Sequence, residues 1–228
     1  TDMGNSLLRE CYGTVPELPP HKSSVMAGAI QFVRKVSAKW NDVAVSDNEF
    51  ERLAKEVKKE CKSTTVRDPS NRRRLNRIVK RLVQSVPGSH SRFDIHLSGS
   101  RVMNAFMGPK GMGCMHEGLL EKLDDDAVAM VVGHEMAHSI LEHSENFIRL
   151  LTAAQAFAKK ARNNIHLLKA GMEFFDLQEY YPLVKQVWPL VTEVGALSAT
   201  VLTKMVYDQD LEFESDRLGV CLMHRARF

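Results

Sequence analysis

The stretch DDDAVAMVVGHEMAHSILEHSENF, residues 124–147, decides the fold of this chain of 228 residues. Its apolar side chains lie around most of a helix circumference, at Val128, Met130, Val131, Val132, Ile140 and Leu141. A helix that is apolar on nearly every side is buried, so this one is predicted to lie at the centre of the molecule. The acids at 124–126 are interpreted as an N-cap and favourable charge in the first turn, in preference to a second metal site.

Two histidines and a glutamate give this central helix its chemistry. Residues four apart on a helix differ by about 40° around the axis, so His134 and His138 share a face and can bind one metal ion. Glu135 lies about 100° away, where it can hold a water molecule without being a ligand. The HExxH pattern is typical of zinc peptidases, in which the metal polarises the scissile carbonyl and the glutamate moves the proton. The pattern also arises by chance on surface helices, but burying these groups without a metal would cost several kcal/mol.

A catalytic zinc site usually takes three protein ligands, so the HExxH pair needs a partner elsewhere in the chain. The stretch DLEFESDRLG, residues 210–219, offers Glu212 and, one helical turn later on the same face, Asp216. One of these carboxylates can bind the metal while the other accepts the ring N–H of a ligand histidine. Spacing alone leaves the two roles interchangeable.

The rest of the chain predicts helices and a short run of strands. Helical periodicity is present at residues 24–40, 46–61, 69–86 and 148–207, the last broken around Pro182 and Pro189. Residues 1–22, with several glycines and prolines, are expected to form an irregular lead-in. Alternating polarity predicts strands at 93–97 and 102–106, followed by a turn at 108–113. The predicted fold class is therefore α+β, mainly helical, with a small sheet before the central HExxH helix.

The charge balance excludes a strongly basic class of protein. A net charge of +3 and a pI near 8.6 are too mild to indicate nucleic acid, so no nucleic-acid partner is expected. A local cluster of arginines is interpreted as a solvated helix face, with a patch for RNA, DNA or anionic lipid as the alternative. Its members are Arg72, Arg73, Arg74 and Arg77.

The cysteines and the first residues give weaker information. Cys11, Cys61, Cys114 and Cys221 show no CxxC spacing, which predicts neither a zinc knuckle nor a disulfide framework and favours a reduced compartment. The opening residues have neither the apolar core of a signal peptide nor the arginine-rich character of a transit peptide.

Three further histidines are interpreted as structural. On a continuous helix, His143 lies about 180° from His134 and about 140° from His138, so it cannot join them on one metal without a break in the helix. His116 and His224 are also expected to be structural, although either could approach the cleft and stabilise an oxyanion.

Three motifs together carry a family resemblance over residues 93–223. NAF at 104–106, HEMAH at 134–138 and EFESD at 212–216 resemble the HtpX and CAAX-prenyl-protease type of zinc metallopeptidases, and within them the mitochondrial Oma-type endopeptidases. The resemblance implies a gluzincin-like domain with one Zn²⁺ per chain, held by His134, His138 and Glu212. It also implies Glu135 as general base and acid, Asp216 beside a ligand histidine, and a strand of Asn104, Ala105 and Phe106 near the substrate cleft.

A chain of 228 residues can bury a full core and is expected to form one domain, with a separable, charge-rich first half as the alternative. Residues 1–88 are expected to form a helical N-terminal region and residues 89–228 the zinc metallopeptidase domain. The chain stops twelve residues after Asp216, which is consistent with a truncated C-terminus. Family membership implies protein or peptide substrates, membrane protein quality control and the mitochondrial inner membrane.

The sequence departs from the family in two ways that bear on this expectation. The family often has Ser-Arg where this chain has Asp208 and Gln209. The apolar segment 187–206 contains Glu193 and Lys204, so it is too polar for a spanning helix. It is expected to be packed in the protein or to lie against a membrane surface or a partner, and any membrane attachment would be peripheral. A catalytically weak, metal-stabilised scaffold that binds partners is therefore the alternative, although an intact Glu135 favours activity. Cleavage specificity and oligomeric state do not follow from the sequence.

Overall fold

The computed structural model describes residues 2–13, 45–88, 92–149, 152 and 209–228. The predicted helix at 24–40 lies outside these residues. So do nearly all of the predicted helical region 148–207 and the whole of the candidate membrane segment 187–206. The order of described elements is helical at both ends, with strands between.

The first helix, α1, spans Asp2–Tyr12, so the expectation of an irregular lead-in is wrong for these residues. Leu7 and Leu8 are buried in the main core, because this helix packs against apolar residues from the end of the chain. The helix ends at Gly13, whose φ of 72° is a left-handed conformation that glycine adopts without steric cost.

The next two helices match the prediction closely. Helix α2 spans Asp47–Cys61 and is capped by Ser46, whose side chain accepts from the Glu49 backbone N–H. Helix α3 spans Pro69–Ser85 and begins with the N-cap Asp68 followed by proline. Both bury the apolar faces that their periodicity indicates.

Three strands form one small sheet in the order β1-β3-β2. Strand β1 is Asp94–Ser98, β2 is Ala105–Met107 and β3 is Met112–His116. Strand β3 pairs in parallel with β1, and its antiparallel pairing with β2 sets Phe106 opposite Cys114. Strand β2 is therefore an edge strand of the described sheet.

The sequence reading of the strands was partly wrong. The second strand is shorter than the predicted 102–106, because Val102 and Met103 lie exposed in a bend before it. The sequence does not indicate the central strand β3, and the predicted turn at 108–113 includes the first two residues of this strand. Residues 112–115 are all buried, and a strand covered on both faces lacks the alternating polarity that identifies a strand in a sequence. The turn itself is confined to Pro109–Gly111, with Lys110 left-handed at φ 58°.

The HExxH helix lies at the centre as predicted. A short helix α4, Glu117–Leu120, leads to α5, Asp125–Ile140, whose N-cap Asp124 accepts from the Ala127 backbone N–H. The acids at its start have structural partners, since Asp125 pairs with Arg74 and Arg77 of the arginine cluster. The final helix, α6, spans Gln209–Ala226 and packs along α5.

One main core joins both halves of the chain. Buried residues of α1 and α3 pack in the same cluster as Met115 of the sheet, Met136 of α5 and Leu218 of α6. The division at residue 88 stays a prediction. The described fold is mainly helical with one three-stranded sheet.

Helices α5 and α6 approach each other closely at two glycines. A Cβ atom on Gly219 would lie 2.9 Å from the backbone nitrogen of His134, and one on Gly133 would lie 3.1 Å from the Gly219 carbonyl oxygen. The absence of side chains at this crossing is what lets α6 place its carboxylates beside the two histidines of α5.

The four cysteines form two disulfides, so the expectation of no disulfide framework is wrong. Cys11 pairs with Cys221 and Cys61 pairs with Cys114. The partners are 210 and 53 residues apart in sequence, which is why no local spacing indicates them. The first bridge ties α1 to α6, and the second ties α2 to the central strand.

Among the described residues, no helix combines the length and apolar character needed to cross a membrane.

We predict that Gly219→Ala separates α6 from α5. Alanine favours a helix interior by about 1 kcal/mol over glycine, yet the backbone contact here leaves no room for its methyl group, so overpacking of about 1–3 kcal/mol should dominate. The thermal midpoint of unfolding should therefore fall. Val220→Ala, at a residue 49% exposed on the same helix, is the control and should leave the midpoint unchanged. A Gly219→Ala variant as stable as the parent would contradict the close crossing.

A second prediction concerns Glu145, whose buried carboxylate stabilises the left-handed turn at Lys110. Its Oε1 accepts from the Lys110 backbone N–H at 2.8 Å, whereas its buried Oε2 has no hydrogen-bond partner among the residues that the structure describes. Burial raises the pKa of Glu145 above its ordinary value of 4.5. The folded state therefore holds this proton more tightly than the unfolded state, and the linked stability, complete below about pH 4.5, is lost as the pH rises through the folded pKa.

Glu145→Gln keeps an acceptor for Lys110 without the buried charge. Its free energy of unfolding relative to the parent should therefore increase from pH 4.5 to pH 8, as measured by urea unfolding at several pH values. A constant difference over this range would show that Glu145 does not titrate as described.

Candidate metal centre

Helix α5 places the two histidines of HEMAH side by side. Their Nε2 atoms lie 3.0 Å apart and their ring centroids 4.7 Å apart. Helix α6 adds Glu212 from the other side of the crossing, with Oε2 3.2 Å from His134 Nε2 and Oε1 3.4 Å from His138 Nε2. One ligand atom from each of the three residues lies within 4.8 Å of the others.

These separations fit a small tetrahedral metal ion. Zinc bound at about 2.0–2.1 Å by each ligand, with angles near 109°, separates its ligand atoms by about 3.3 Å. The two nitrogens lie 3.0 Å apart, and they lie 3.2 and 3.4 Å from the two different oxygens of Glu212, all close to that value. Two imidazole nitrogens and one carboxylate oxygen are also a donor set that zinc accepts, so the residues present fit the ion.

Asp216 lies one helical turn after Glu212 and contacts the far side of the first histidine. Its Oδ1 is 2.9 Å from His134 Nδ1, while His134 Nε2 faces His138 and Glu212. A carboxylate at Nδ1 keeps the proton on that nitrogen and leaves the Nε2 lone pair free. The structure therefore gives Glu212 and Asp216 different surroundings, which spacing alone could not do.

His143 lies closer to the centre than the sequence indicated. Helix α5 ends at Ile140, Glu142 adopts a left-handed φ of 58°, and a new helical segment begins at residue 143. The helix is thus broken between His138 and His143, so the angle of about 140° expected between them on a continuous helix does not apply. His143 is buried, with its Nδ1 atom 2.9 Å from Nδ1 of His138, on the opposite side of that ring from Glu212.

Burial shifts the ionisation of the central groups. It lowers the pKa of His138 to about 2, with the neighbouring His143 and His134 rings adding to the shift. A histidine that stays neutral keeps a lone pair for a metal at any ordinary pH. Burial likewise raises the pKa of the Glu212 carboxyl.

Glu135 lies beside the three donors and faces the edge strand. Burial raises its pKa to about 7, and the Glu212 carboxylate adds to the rise. The His134 ring and a hydrogen bond from the Met107 backbone N–H act in the opposite direction. A carboxyl group that titrates near neutral pH can both accept and return a proton.

The NAF strand reaches this glutamate. Ala105 and Phe106 line a small, mainly apolar cavity together with Glu135 and Val132 of α5. Its volume is about 10 Å³, close to the space that one water molecule requires. Asn104 does not line the cavity. It precedes β2, and its carbonyl oxygen accepts from the His116 backbone N–H.

The remaining histidines have different positions. The His116 ring stacks edge-on against Phe106 at 6.4 Å between centroids, and burial lowers its pKa. His224 is exposed in the last turn of α6. It lies about 18 Å along the helix from Glu212, at 1.5 Å per residue, too far to reach the centre.

Sequence reasoning missed two contributions to this site. No glycine or proline marks the break after Leu141, so nothing local indicated that His143 turns back towards His138. The two glycines at the crossing were also missed, because their effect depends on which helices meet there.

Known proteins similar to this chain are peptidases. Residues 69–228 match the model of Peptidase family M48. The chain is 28% identical over 154 residues to metalloendopeptidase OMA1, mitochondrial, of Bos taurus, which covers 63% of this chain and 25% of that protein. It is 26% identical over 155 residues to mitochondrial metalloendopeptidase OMA1 of Schizosaccharomyces pombe, covering 68% and 39% respectively.

A bacterial protein is similar over a shorter region. Metalloprotease LoiP of Escherichia coli K12 is 25% identical over 116 residues, which is 50% of this chain and 45% of that protein. The chain thus matches less than half the length of each of these relatives. Because the family model covers more than two thirds of the chain, including every residue of the candidate centre, this protein belongs to Peptidase family M48.

Proposed function

We propose that this chain is a zinc-dependent metalloendopeptidase that hydrolyses peptide bonds. The observation that carries the proposal is the convergence of His134, His138 and Glu212 on one point, with Glu135 beside them. A zinc ion in such a site supplies Lewis-acid polarisation of the scissile carbonyl and makes water more acidic. Family membership supports a metal-dependent peptidase, and the donor geometry supports zinc, one per chain.

The residues of the centre would have three roles: metal ligand, partner of a ligand histidine, and general base and acid. His134, His138 and Glu212 would hold the ion, and Asp216 would keep the proton of His134 on Nδ1. Glu135 would accept a proton from the attacking water on its carboxylate and return it to the leaving amine nitrogen. Its pKa near 7 supports both transfers, since neither protonation state is strongly favoured at neutral pH.

The substrate is proposed to pair with strand β2 in extended form. In antiparallel pairing, alternate residues turn their backbone groups away from the partner strand, and here these residues are Ala105 and Met107. Both backbone groups of Met107 already have hydrogen-bond partners. Its N–H donates to Glu135, and its carbonyl oxygen accepts from the Ser144 hydroxyl at 2.7 Å. Ala105 is therefore the position at which a peptide would add to the edge, flanked by Asn104 and Phe106.

The place of action is proposed from the relatives. The names of the two OMA1 relatives include the word "mitochondrial". These names support the proposal that this chain acts on protein substrates in mitochondria. We further propose membrane protein quality control at the inner membrane, with a membrane surface as a further contact. The chain matches only 25% and 39% of the lengths of these two relatives, so each of these proposals is carried over from a longer protein.

The first test is Glu135→Gln. The variant should fold and bind zinc like the parent, because Glu135 is beside the ligands and not among them. Cleavage of an unstructured protein should fall by about 10²–10⁴-fold, the usual size of a general acid–base contribution. Zinc content and cleavage are measured with and without a chelator. A parent that binds zinc but cleaves nothing would favour the scaffold alternative, and equal cleavage by the variant would exclude the assigned base.

The second test compares Glu212→Ala with Glu214→Ala. The carboxylates are two residues apart on α6 and point about 160° away from each other, so only one faces the histidine pair. Glu212 lies 3.2 Å from His134 Nε2, whereas Glu214 approaches His143 at 3.7 Å. Titration against a competing chelator should show much greater loss of zinc affinity for Glu212→Ala. Equal losses in the two variants would remove Glu212 as the third ligand.

A further inference from the structure

We infer that His143 is a positioning residue for the metal centre, which accepts the Nδ1 proton of His138 and thereby fixes the tautomer and orientation of that ligand. The inference rests on the proposed zinc site, and it gives a role to a histidine that neither the HExxH nor the ExxxD motif contains.

The two ring nitrogens of His138 have different neighbours. Its Nε2 atom faces His134 and Glu212, so this nitrogen needs a free lone pair to bind a metal. A neutral imidazole carries one proton, which must then be on Nδ1. That atom lies 2.9 Å from Nδ1 of His143, within hydrogen-bond distance. His138 therefore donates, and the Nδ1 atom of His143 must be unprotonated to accept.

The surroundings of His143 agree with this assignment. With its Nδ1 atom as acceptor, the ring carries its proton on Nε2, and Oε2 of Glu214 lies 3.7 Å from that atom. The Ser215 hydroxyl lies 3.4 Å from Nδ1, a longer contact than the 2.9 Å contact of this atom with His138. His143 is 3% exposed, and its ring stands at 72° to that of His138. A buried ring between fixed neighbours can hold its partner in one orientation.

The two ligand histidines are thus supported by chemically different groups. His134 donates to Asp216, a carboxylate whose side chain is 61% exposed. His138 donates to a buried, neutral imidazole. Glu142 has a left-handed backbone conformation, which turns the chain after the end of α5 and places the His143 imidazole beside that helix.

The test uses variants that separate hydrogen bonding from packing. His143→Asn places an amide oxygen at about the position of Nδ1 and keeps the acceptor. His143→Leu fills similar space without one. Ser215→Ala is the matched control, because it removes another buried polar group beside His143 and leaves the His138 contact intact. Unfolding of the metal-free variants is measured first, to establish that each is folded.

Two readouts then follow, zinc affinity by competition with a chelator and ¹⁵N NMR of the imidazole nitrogens in the zinc-loaded chain. His143→Leu should weaken zinc binding by about 10–100-fold, the usual effect of losing a partner of a ligand histidine. His143→Asn and Ser215→Ala should bind zinc like the parent. In the parent spectrum, His138 should carry its proton on Nδ1 and His143 on Nε2.

Several outcomes would overturn the inference. They are zinc affinity in His143→Leu equal to the parent, failure of His143→Asn to retain it, or a proton on Nδ1 of His143. Should His143→Leu not fold, His143→Gln, whose amide lies one bond beyond the Nδ1 position, takes its place with the same expected loss. If the parent chain binds no zinc, the proposed function itself is wrong. If the parent binds zinc and one of the outcomes above is observed, only the role of His143 is wrong.

Discussion

The close crossing of α5 and α6 is the constraint on which the candidate site depends. The histidines come from one helix and the carboxylates from another that begins about 70 residues later in the chain. Donor atoms 3.0–3.4 Å apart require backbones in near contact, and Gly133 and Gly219 provide that contact. The two disulfides hold neighbouring elements in place, since one ties α1 to α6 and the other ties α2 to the central strand.

Burial of polar groups at this crossing prepares the site and carries an energetic cost. Desolvation keeps His138 neutral and brings the pKa of Glu135 to about 7, so the same low-polarity environment prepares both the proposed ligand and the proposed base. Such groups destabilise a folded chain unless they are paired. The hydrogen bonds from His138 to His143 and from Met107 to Glu135 offset part of the cost, and a bound metal would offset more.

Local signals were sufficient wherever one segment determines its own structure. The helical periods at 46–61 and 69–86 predicted α2 and α3, and the acids at 124–126 with the apolar pattern that follows them predicted α5. The spacing of His134 and His138 predicted a shared face, which the structure confirms. The three motifs also indicated the family correctly. The helices and the shared face depend on residues within a few helical turns of one another, and each motif is itself a short local sequence, so none of these signals needs the rest of the chain.

The sequence by itself therefore determined the central helix and the histidine pair, because helical geometry relates residues three or four positions apart. It also indicated the family, because three short motifs carry the resemblance by their residue identities. Tertiary structure alone decided the rest. Strand β3 is buried on both faces and showed no alternation, and the cysteine partners lie up to 210 residues apart. His143 reaches His138 only because α5 ends and the chain reverses at Glu142. These features depend on which elements meet in space, and no local period or spacing encodes that.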